Sequence, residues 1–389
     1  MSSPPPANTP VWDDLRWAGL PRLAADITTD VCVVGLGGSG LTAVEELLAM
    51  GRRVVGIDAA DVGAGAAGRN GGFLLTGTAD YHHDAIAALG HSCAMRIHDM
   101  TVAEIGNIAA QAPGTVRYTG SLRIADSDDE MADCERQRDA MRLDAIAVED
   151  YDGPHGRGIF MPGDATFNPL TRCRALAGGL AERGARLFGR TAALSFEDGA
   201  VITPRGRIRC EQTIVAVDGR IEGLLPELIG TVRTARLQMI ATAPTREVAI
   251  ACPVSTRYGF DYWQQLPGGP IAIGGGRDIG ADDEWTLSGE PTAPLRAHLE
   301  SVLRSKLRVQ APVTHHWAAN VSYSSSPLPL CAEVRPHLWA VGAYSGTGNI
   351  MGALAGRAAA RRACGETSEF ADLLSTHAPQ RSLQWSPSA

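Results

Sequence analysis

The residues best placed to do chemistry in this sequence are glycines. Gly35, Gly37 and Gly40 form a G-x-G-x-x-G turn with Gly38 and Ser39 inside it, and Asp58 follows eighteen residues beyond Gly40. Bare backbone N–H groups at a turn that opens a helix suit a pyrophosphate, and an acidic residue about twenty positions on can accept hydrogen bonds from ribose hydroxyls. A second cluster follows closely: "GAGAAGRNGG", Gly63 to Gly72, holds five glycines, Arg69 and Asn70. A loop this rich in glycine loses much chain entropy on ordering, so its use is expected to be close backbone approach to a ligand. The sequence contains no GxSxG elbow and no CxxC pair. The chemistry is expected to be carried by a bound cofactor.

Positioning these groups requires a strand, a turn, a helix and a second strand. Val31 to Val34 is a continuous apolar run, as in a strand buried on both faces. Leu41, Val44, Leu47 and Leu48 recur at helical spacing, and Gly51 is a plausible stop. A second apolar run, Val54 to Ile57, delivers Asp58. Gly35 would permit the tight turn, Gly37 the approach of the pyrophosphate, and Gly40 the close packing of helix on strand. This unit alone does not separate NAD from FAD.

The whole chain narrows the field. The net charge of −8 and the lack of a basic segment exclude a nucleic-acid surface. Hydrophobic residues at 44% and charged residues at 20% are ordinary for a globular protein. The most apolar window, Val31 to Met50, contains four glycines and Glu45/Glu46, so no membrane span is expected. The eight scattered cysteines read as reduced thiols and imply a cytoplasmic protein, and no secretory signal opens the chain. "MSSPPPANTP" and "STHAPQRSLQWSPSA" read as mobile tails.

The glycine loop also carries a resemblance. Gly65-Ala66-Ala67-Gly68-Arg69-Asn70-Gly71-Gly72 resembles the G-A-S-G-R-N-G-G loop that γ-glutamylputrescine oxidase-type members carry beside the flavin within the D-amino-acid oxidase superfamily, the group that also includes glycine oxidase and sarcosine oxidase. Further segments are similar: the N-P-L helix of "FNPLTRCRALAGGLAERGARLFGRT", the strand "EQTIVAVDGR", and the closing "LWAVGAYSGTGNIMGALAGRAAA". The resemblance implies an α/β (α+β) fold, a Rossmann-type FAD-binding domain with an interleaved mixed β-sheet substrate domain. The expected division is 1–25 as an N-terminal extension, 26–85, 160–235 and 333–375 for FAD, 86–159 and 236–332 for substrate, and 376–389 as a tail. Implied cofactor contacts are Gly35, Gly37, Gly38, Ser39, Gly40, Asp58 and Ala59, then Ala66, Ala67, Arg69, Asn70, Gly71 and Gly72. Ala192 beside Thr191, Ala216, Val217, and Ser345, Gly346, Thr347, Gly348, Asn349 and Ile350 complete the set. Two positions depart from the family pattern: Ala67 lacks a loop hydroxyl, and Val217-Asp218 stands where A-T-G is usual.

Tyr258, Phe260 and Tyr262 alternate as on one strand, forming either an aromatic wall or a core stripe. Arg277, Arg257 and Arg69 are the candidates for a substrate carboxylate. His316 and Trp317 fall where the family brings a strand into the site. Read as strand residues, the histidines of "YHHD" (Tyr81 to Asp84) and "THHWAAN" point to opposite faces, so no metal site is expected. The run "DSDDEMADCERQRD" reads as a solvated helix face. Ala272 stands where relatives place an oxygen-activating lysine, and Val321 near a flavin-linking cysteine, so non-covalent FAD is implied. The implied activity is oxidation of the CH–NH bond of an amine or amino acid, with oxygen or another electron acceptor. The alternatives are a dehydrogenase with a non-oxygen acceptor, a flavin hydroxylase or halogenase, and a non-catalytic flavoprotein. Oligomeric state is not legible.

Overall fold

The computed structural model describes residues 7–14 and 16–377. Its first sheet runs in the order Leu330–Arg335, Leu338–Gly342, Gln212–Val215, Val31–Val34, Val54–Ile57, Arg186–Phe188. The last five strands are parallel and the first is antiparallel to its neighbour. The apolar runs read from the sequence are these strands, residue for residue, because a parallel sheet covered on both faces needs apolar side chains at every position. One face carries the helices Gly38–Ala49 and Met351–Ala363, where Leu41, Val44 and Leu47 meet Ala355, Ala358 and Ala359. The small residues bring the two helices very close: a Cβ on Gly356 would fall 2.1 Å from the Ser39 carbonyl oxygen. The other face packs on a four-stranded sheet through Val201 and Ile208.

A second sheet of eight strands runs Val313–Tyr323, Arg233–Thr242, Ile271–Gly275, Asp261–Gln265, Val254–Thr256, Ser121–Ile124, Gly156–Met161, Glu149–Gly153. All pairs are antiparallel except Val254–Thr256 with Ser121–Ile124. Alternation divides its faces. Trp263, Ile271 and Ile273 pack on Leu299 and Leu303 from the helical segment behind, whereas Tyr262 and Gln264 turn toward the Gly63–Gly72 loop. Arg233–Thr242 and Gly156–Met161 run across the domain boundaries expected at 236 and 160.

Several expectations need correction. Tyr258 and Phe260 do not share a strand with Tyr262. Arg257 (φ +53°), Tyr258 (φ +55°) and Gly259 (φ +82°) form a tight turn between Val254–Thr256 and Asp261–Gln265. "YHHD" opens a helix, His82–Leu89, so the opposite-face argument applies only to His315 and His316. His83, Asp84 and Asp133 do bring ligand atoms within 4.8 Å of one another, but the Arg136 guanidinium is bonded to both His83 and Asp133. The charged run is the helix Asp128–Leu143, yet Glu130, Cys134, Gln137 and Met141 form a buried face. Glu130 accepts the Asp126 N–H at 2.7 Å and the Tyr258 N–H at 2.5 Å, so an acid in that run holds the aromatic turn. Of the expected N-terminal tail, residues 1–6 lie outside the described residues, whereas Asn8 is hydrogen-bonded, and just beyond it Trp12 is buried. At the far end His377 Nε2 donates to the Leu89 carbonyl oxygen at 3.1 Å, and residues 378–389 of the expected tail lie outside the described residues.

Candidate active site

Between the two sheets lies a cavity of about 1660 Å³. Its floor is the carboxyl end of the parallel strands, where an open α/β sheet presents loops and helix N-termini. Helix Gly38–Ala49 starts there with Gly37 as N-cap and no side-chain cap, so its first N–H groups face the cavity unpaired by side chains. Gly35 (φ +102°) makes the turn that requires a positive φ, and a Cβ on Gly40 would lie 1.9 Å from the Gly35 carbonyl oxygen. Beneath this helix start lies Arg172, a residue not singled out in the sequence. Its guanidinium is buried and bonds Gln111 at 2.6 Å and Thr42 at 3.3 Å. Asp58 accepts from the N–H groups of Leu36 (2.9 Å) and Ala60 (2.8 Å), and burial pushes its carboxyl up. Ala59, Ala192, Ala216 and Val217 line the same end, while Thr191 turns away to accept the Leu23 N–H.

The Gly63–Gly72 loop forms the next wall, but its glycines serve two purposes. Gly63, Gly68 and Gly72 are demanded by the protein itself: a Cβ on Gly68 would meet the Gly63 carbonyl oxygen at 2.3 Å, and one on Gly72 the Phe167 carbonyl oxygen at 2.5 Å. Gly65, Ala66, Ala67, Arg69, Asn70 and Gly71 line the cavity; Gly72 and Gly40 do not. Two indoles fix the loop backbone, Trp12 Nε1 donating to the Asn70 carbonyl at 2.9 Å and Trp317 Nε1 to the Arg69 carbonyl at 2.7 Å. Asn70 and Asn349 exchange side-chain amide bonds at 2.9 and 3.1 Å, joining this loop to Ser345–Ile350, all six of which line the cavity. The Tyr344 hydroxyl and Ser345 Oγ are buried there without a hydrogen-bond partner among the described residues.

Asn8 closes one side. Its side chain donates to the Gly289 carbonyl at 2.9 Å and accepts from the Ala318 N–H at 3.0 Å and from Arg69. Arg69 also donates to the carbonyls of Ala318 (2.8 Å) and Asn8 (2.6 Å), so the protein's own backbone occupies this cation. Arg257 is ion-paired with Asp261 at 2.7 Å and with Asp278, and it lies off the cavity. Arg277 is different. It lines the cavity within a box of Phe260 (5.2 Å), Trp285 (5.0 Å) and Tyr323 (4.9 Å), and among the described residues it forms no ion pair.

Of the remaining candidates, Tyr258, Phe260 and Tyr262 line the cavity, Tyr262 edge-on to Phe73 at 5.7 Å. His316 and Trp317 do not. His316 turns to Gln238 on the helix-covered side, where burial lowers its pKa to about 4, and Trp317 is a core residue packed with Trp12 and Met239. Ala272 belongs to that same core, and Val321 lines the cavity. A buried acid lies at the junction of the two sheets: Asp218 (φ +51°) accepts from the Ser322 N–H at 3.3 Å and the Tyr344 N–H at 3.5 Å. Burial pushes its carboxyl to about 7, with the neighbouring Glu222 adding to the rise. Among the described residues no helix is long and apolar enough to cross a membrane.

Residues 30–362 match the DAO family, described as FAD dependent oxidoreductase. Gamma-glutamylputrescine oxidoreductase of Escherichia coli is 25% identical over 388 residues, covering 91% of this chain and 88% of that protein. A Rhizobium meliloti protein named "Probable oxidoreductase OrdL" is 27% identical over 379 residues, 91% of this chain and 87% of its own. Among solved structures, glycine oxidase from Geobacillus kaustophilus superposes with a TM-score of 0.75 at 18% identity, covering 92% of this chain and all of that one (100%). L-proline dehydrogenase from P. horikoshii gives 0.71 at 18% identity, over 88% of this chain and 95% of that one. This chain belongs to the DAO family of FAD-dependent oxidoreductases.

Proposed function

We propose that this enzyme oxidises the C–N bond of an amino acid whose carboxylate is held by Arg277. The residues present fit FAD. Unpaired N–H groups at Gly37–Ser39 and the orphaned Tyr344 hydroxyl suit a diphosphate, and Arg172 beneath them adds positive potential. Asp58 would take a ribose, Ala192 would flank the adenine, and Gly65–Gly71 with Ser345–Ile350 would flank the ring system. FAD held there would supply a two-electron acceptor for hydride from the substrate carbon, the resulting imine would hydrolyse in water, and oxygen would be the final acceptor, giving hydrogen peroxide.

The chain's own contribution is orientation and exclusion of water. Arg277 carries the reading: a cavity-lining guanidinium caged by three rings, with no carboxylate partner among the described residues, is prepared for a planar anion, which it can grip through two N–H groups. Tyr262, fixed between Gly71 and Gly274, would form the wall against which the reacting carbon is placed. No cysteine stands ready on the cavity wall, which favours non-covalent FAD. The test is anaerobic mixing of the holoenzyme with amino acids and with matched amines lacking the carboxylate. Loss of the oxidised flavin bands with amino acids only supports the proposal, and bleaching by amines with equal efficiency overturns the role of Arg277.

A further inference from the structure

Asn8 lies ahead of residues 30–362, which match the family, and yet it lines the cavity. The strand Val313–Tyr323 is an edge of the eight-stranded sheet, so its outward backbone groups have no neighbouring strand to pair with. At Ala318 both groups are bonded all the same. Arg69 Nε donates to the carbonyl at 2.8 Å, and the N–H donates to Asn8 Oδ1 at 3.0 Å. Arg69 Nη2 then donates to the Asn8 backbone carbonyl at 2.6 Å and to Asn8 Oδ1, which closes a ring of hydrogen bonds through Asn8, Arg69 and Ala318. Asn8 sits at φ +57°, a left-handed conformation that asparagine adopts more readily than most residues.

The other end of the same amide faces a different wall. Asn8 Nδ2 donates to the Gly289 carbonyl at 2.9 Å and reaches Glu290 Oε2 at 3.5 Å. Gly289 and Glu290 belong to the segment that leaves the strand Ile271–Gly275 and carries Arg277 and Trp285 along the cavity. That segment is fastened to its own sheet by the Glu284–Arg236 ion pair at 2.8 Å and by Asn320, whose Nδ2 donates to the carbonyls of Thr286 (3.0 Å) and Ser288 (3.2 Å). Asn8 fastens it to the opposite side, the glycine loop. The stretch bearing Asn8 is itself held: Trp12 Nε1 donates to the Asn70 carbonyl at 2.9 Å, and Asp13 pairs with Arg174 at 2.9 Å.

From this geometry we infer that Asn8 is a positioning residue for the reaction, a crosspiece that keeps the Arg277 segment in register with the Arg69–Asn70 loop proposed to flank the flavin. Attack geometry is sensitive to displacements of about 1 Å, so a substrate gripped by Arg277 is delivered correctly only while the two walls hold their spacing. Asn8 touches neither the reacting bond nor the carboxylate; it acts through Arg69 and Gly289. The inference rests on the reading of Arg277 as the carboxylate receptor.

Two variants test it. Asn8→Gly retains access to the positive φ and deletes the amide. Asn8→Asp retains oxygens for Arg69 and the Ala318 N–H but sets an oxygen against the Gly289 carbonyl. On each holoenzyme we would measure FAD affinity, amide hydrogen exchange across residues 277–292, and anaerobic flavin reduction by saturating DL-alanine, DL-lysine and DL-glutamate. In Asn8→Gly exchange should quicken about 10-fold and reduction should slow about 10-fold or more, with FAD affinity moving less than about 3-fold. Asn8→Asp should show the same quickened exchange, and it carries the test if the glycine variant is unstable. Exchange within about 2-fold of wild type in either variant would overturn the crosspiece. So would a fall in FAD affinity as large as the fall in reduction rate, which marks a merely structural role. If the wild-type flavin is reduced by none of these amino acids, the oxidation reading fails by itself, and exchange with FAD affinity decides the crosspiece.

Discussion

Asn70 and Asn349, 279 positions apart in sequence, hold one another by both ends of their amides. Asn70 Nδ2 donates to Asn349 Oδ1 at 2.9 Å, and Asn349 Nδ2 donates back to Asn70 Oδ1 at 3.1 Å. Each amide also braces its own surroundings: Asn70 bonds the carbonyls of Ala66 and Ala67 and the N–H of Gly72, and Asn349 bonds the Phe73 carbonyl at 2.8 Å. The two loops proposed to enclose the flavin ring are therefore fixed to one another before any ligand arrives.

Replacing Asn349 by Ala removes this tie and leaves the half-buried Asn70 amide to its contacts with Ala66, Ala67 and Gly72. Two lost hydrogen bonds at about 0.5–1.5 kcal/mol each correspond to a fall in FAD affinity of roughly 5- to 150-fold. Fluorescence titration of the apoprotein with FAD measures it. Unchanged affinity would show that the ring site does not depend on the two loops being joined.

Gly40 and Gly37 separate folding from binding. Gly40→Ala forces a Cβ to within 1.9 Å of the Gly35 carbonyl oxygen, so the strand–turn–helix cannot close and little soluble protein is expected. At Gly37 a Cβ meets only Ala67 Cβ, at 3.1 Å, so Gly37→Ala should fold but lose FAD, because the methyl group occupies the approach to the helix N-terminus. Soluble yield and flavin content, measured together, distinguish the two.

Asp218 predicts a slope of stability with pH. Its folded pKa of about 7 stands above the ordinary 3.8, so the fold favours the neutral acid. That contribution is complete below pH 4 and is lost as pH rises through 7. Asp218→Asn removes the ionisation while keeping an oxygen for the N–H groups of Ser322 and Tyr344. Relative to wild type, the variant should gain melting temperature between pH 5 and 8, by an amount corresponding to about 1–4 kcal/mol. Parallel curves for the two proteins would show that Asp218 is ionised throughout this range.

Arg277→Lys tests recognition at the reacting end. Lysine keeps the charge but lacks the planar fork and stacks less well among Phe260, Trp285 and Tyr323. KM for an amino-acid substrate should rise about 10-fold or more with kcat little changed, the pattern of a lost uniform binding contact. A fall in kcat alone would place Arg277 at the reacting bond.

Much of the cofactor end was legible because its constraints are local. The strands Val31–Val34 and Val54–Ile57 follow from unbroken apolar runs, and the tight turn between strand and helix requires glycine at Gly35 and Gly40. The substrate side was less legible because it depends on what meets across long separations. Arg69 looked available for a carboxylate until Asn8 and Ala318 were seen to occupy it. His316 lies one residue from Trp317 on a strand where a single step reverses the face, and neither side chain reaches the cavity. Glu130 reads as one more surface acid in a charged run, and only the tertiary fold shows it buried beneath the Tyr258 turn. Arg172 left no signal beyond its place in the N-P-L helix.

The anchoring of Asn8 to Gly289 and Ala318, together with the Asn70–Asn349 tie, sets a schedule for the ribosome. The glycine turn and its helix are synthesised within the first fifty residues, but the walls that complete the cavity come from positions near 289, 318 and 349. At roughly 5–20 residues per second, about 15–60 seconds separate the first cofactor-binding segment from the last. A nascent chain can thus present its phosphate-binding turn long before it can enclose a flavin, and capture of FAD must await synthesis of the Ser345–Ile350 loop.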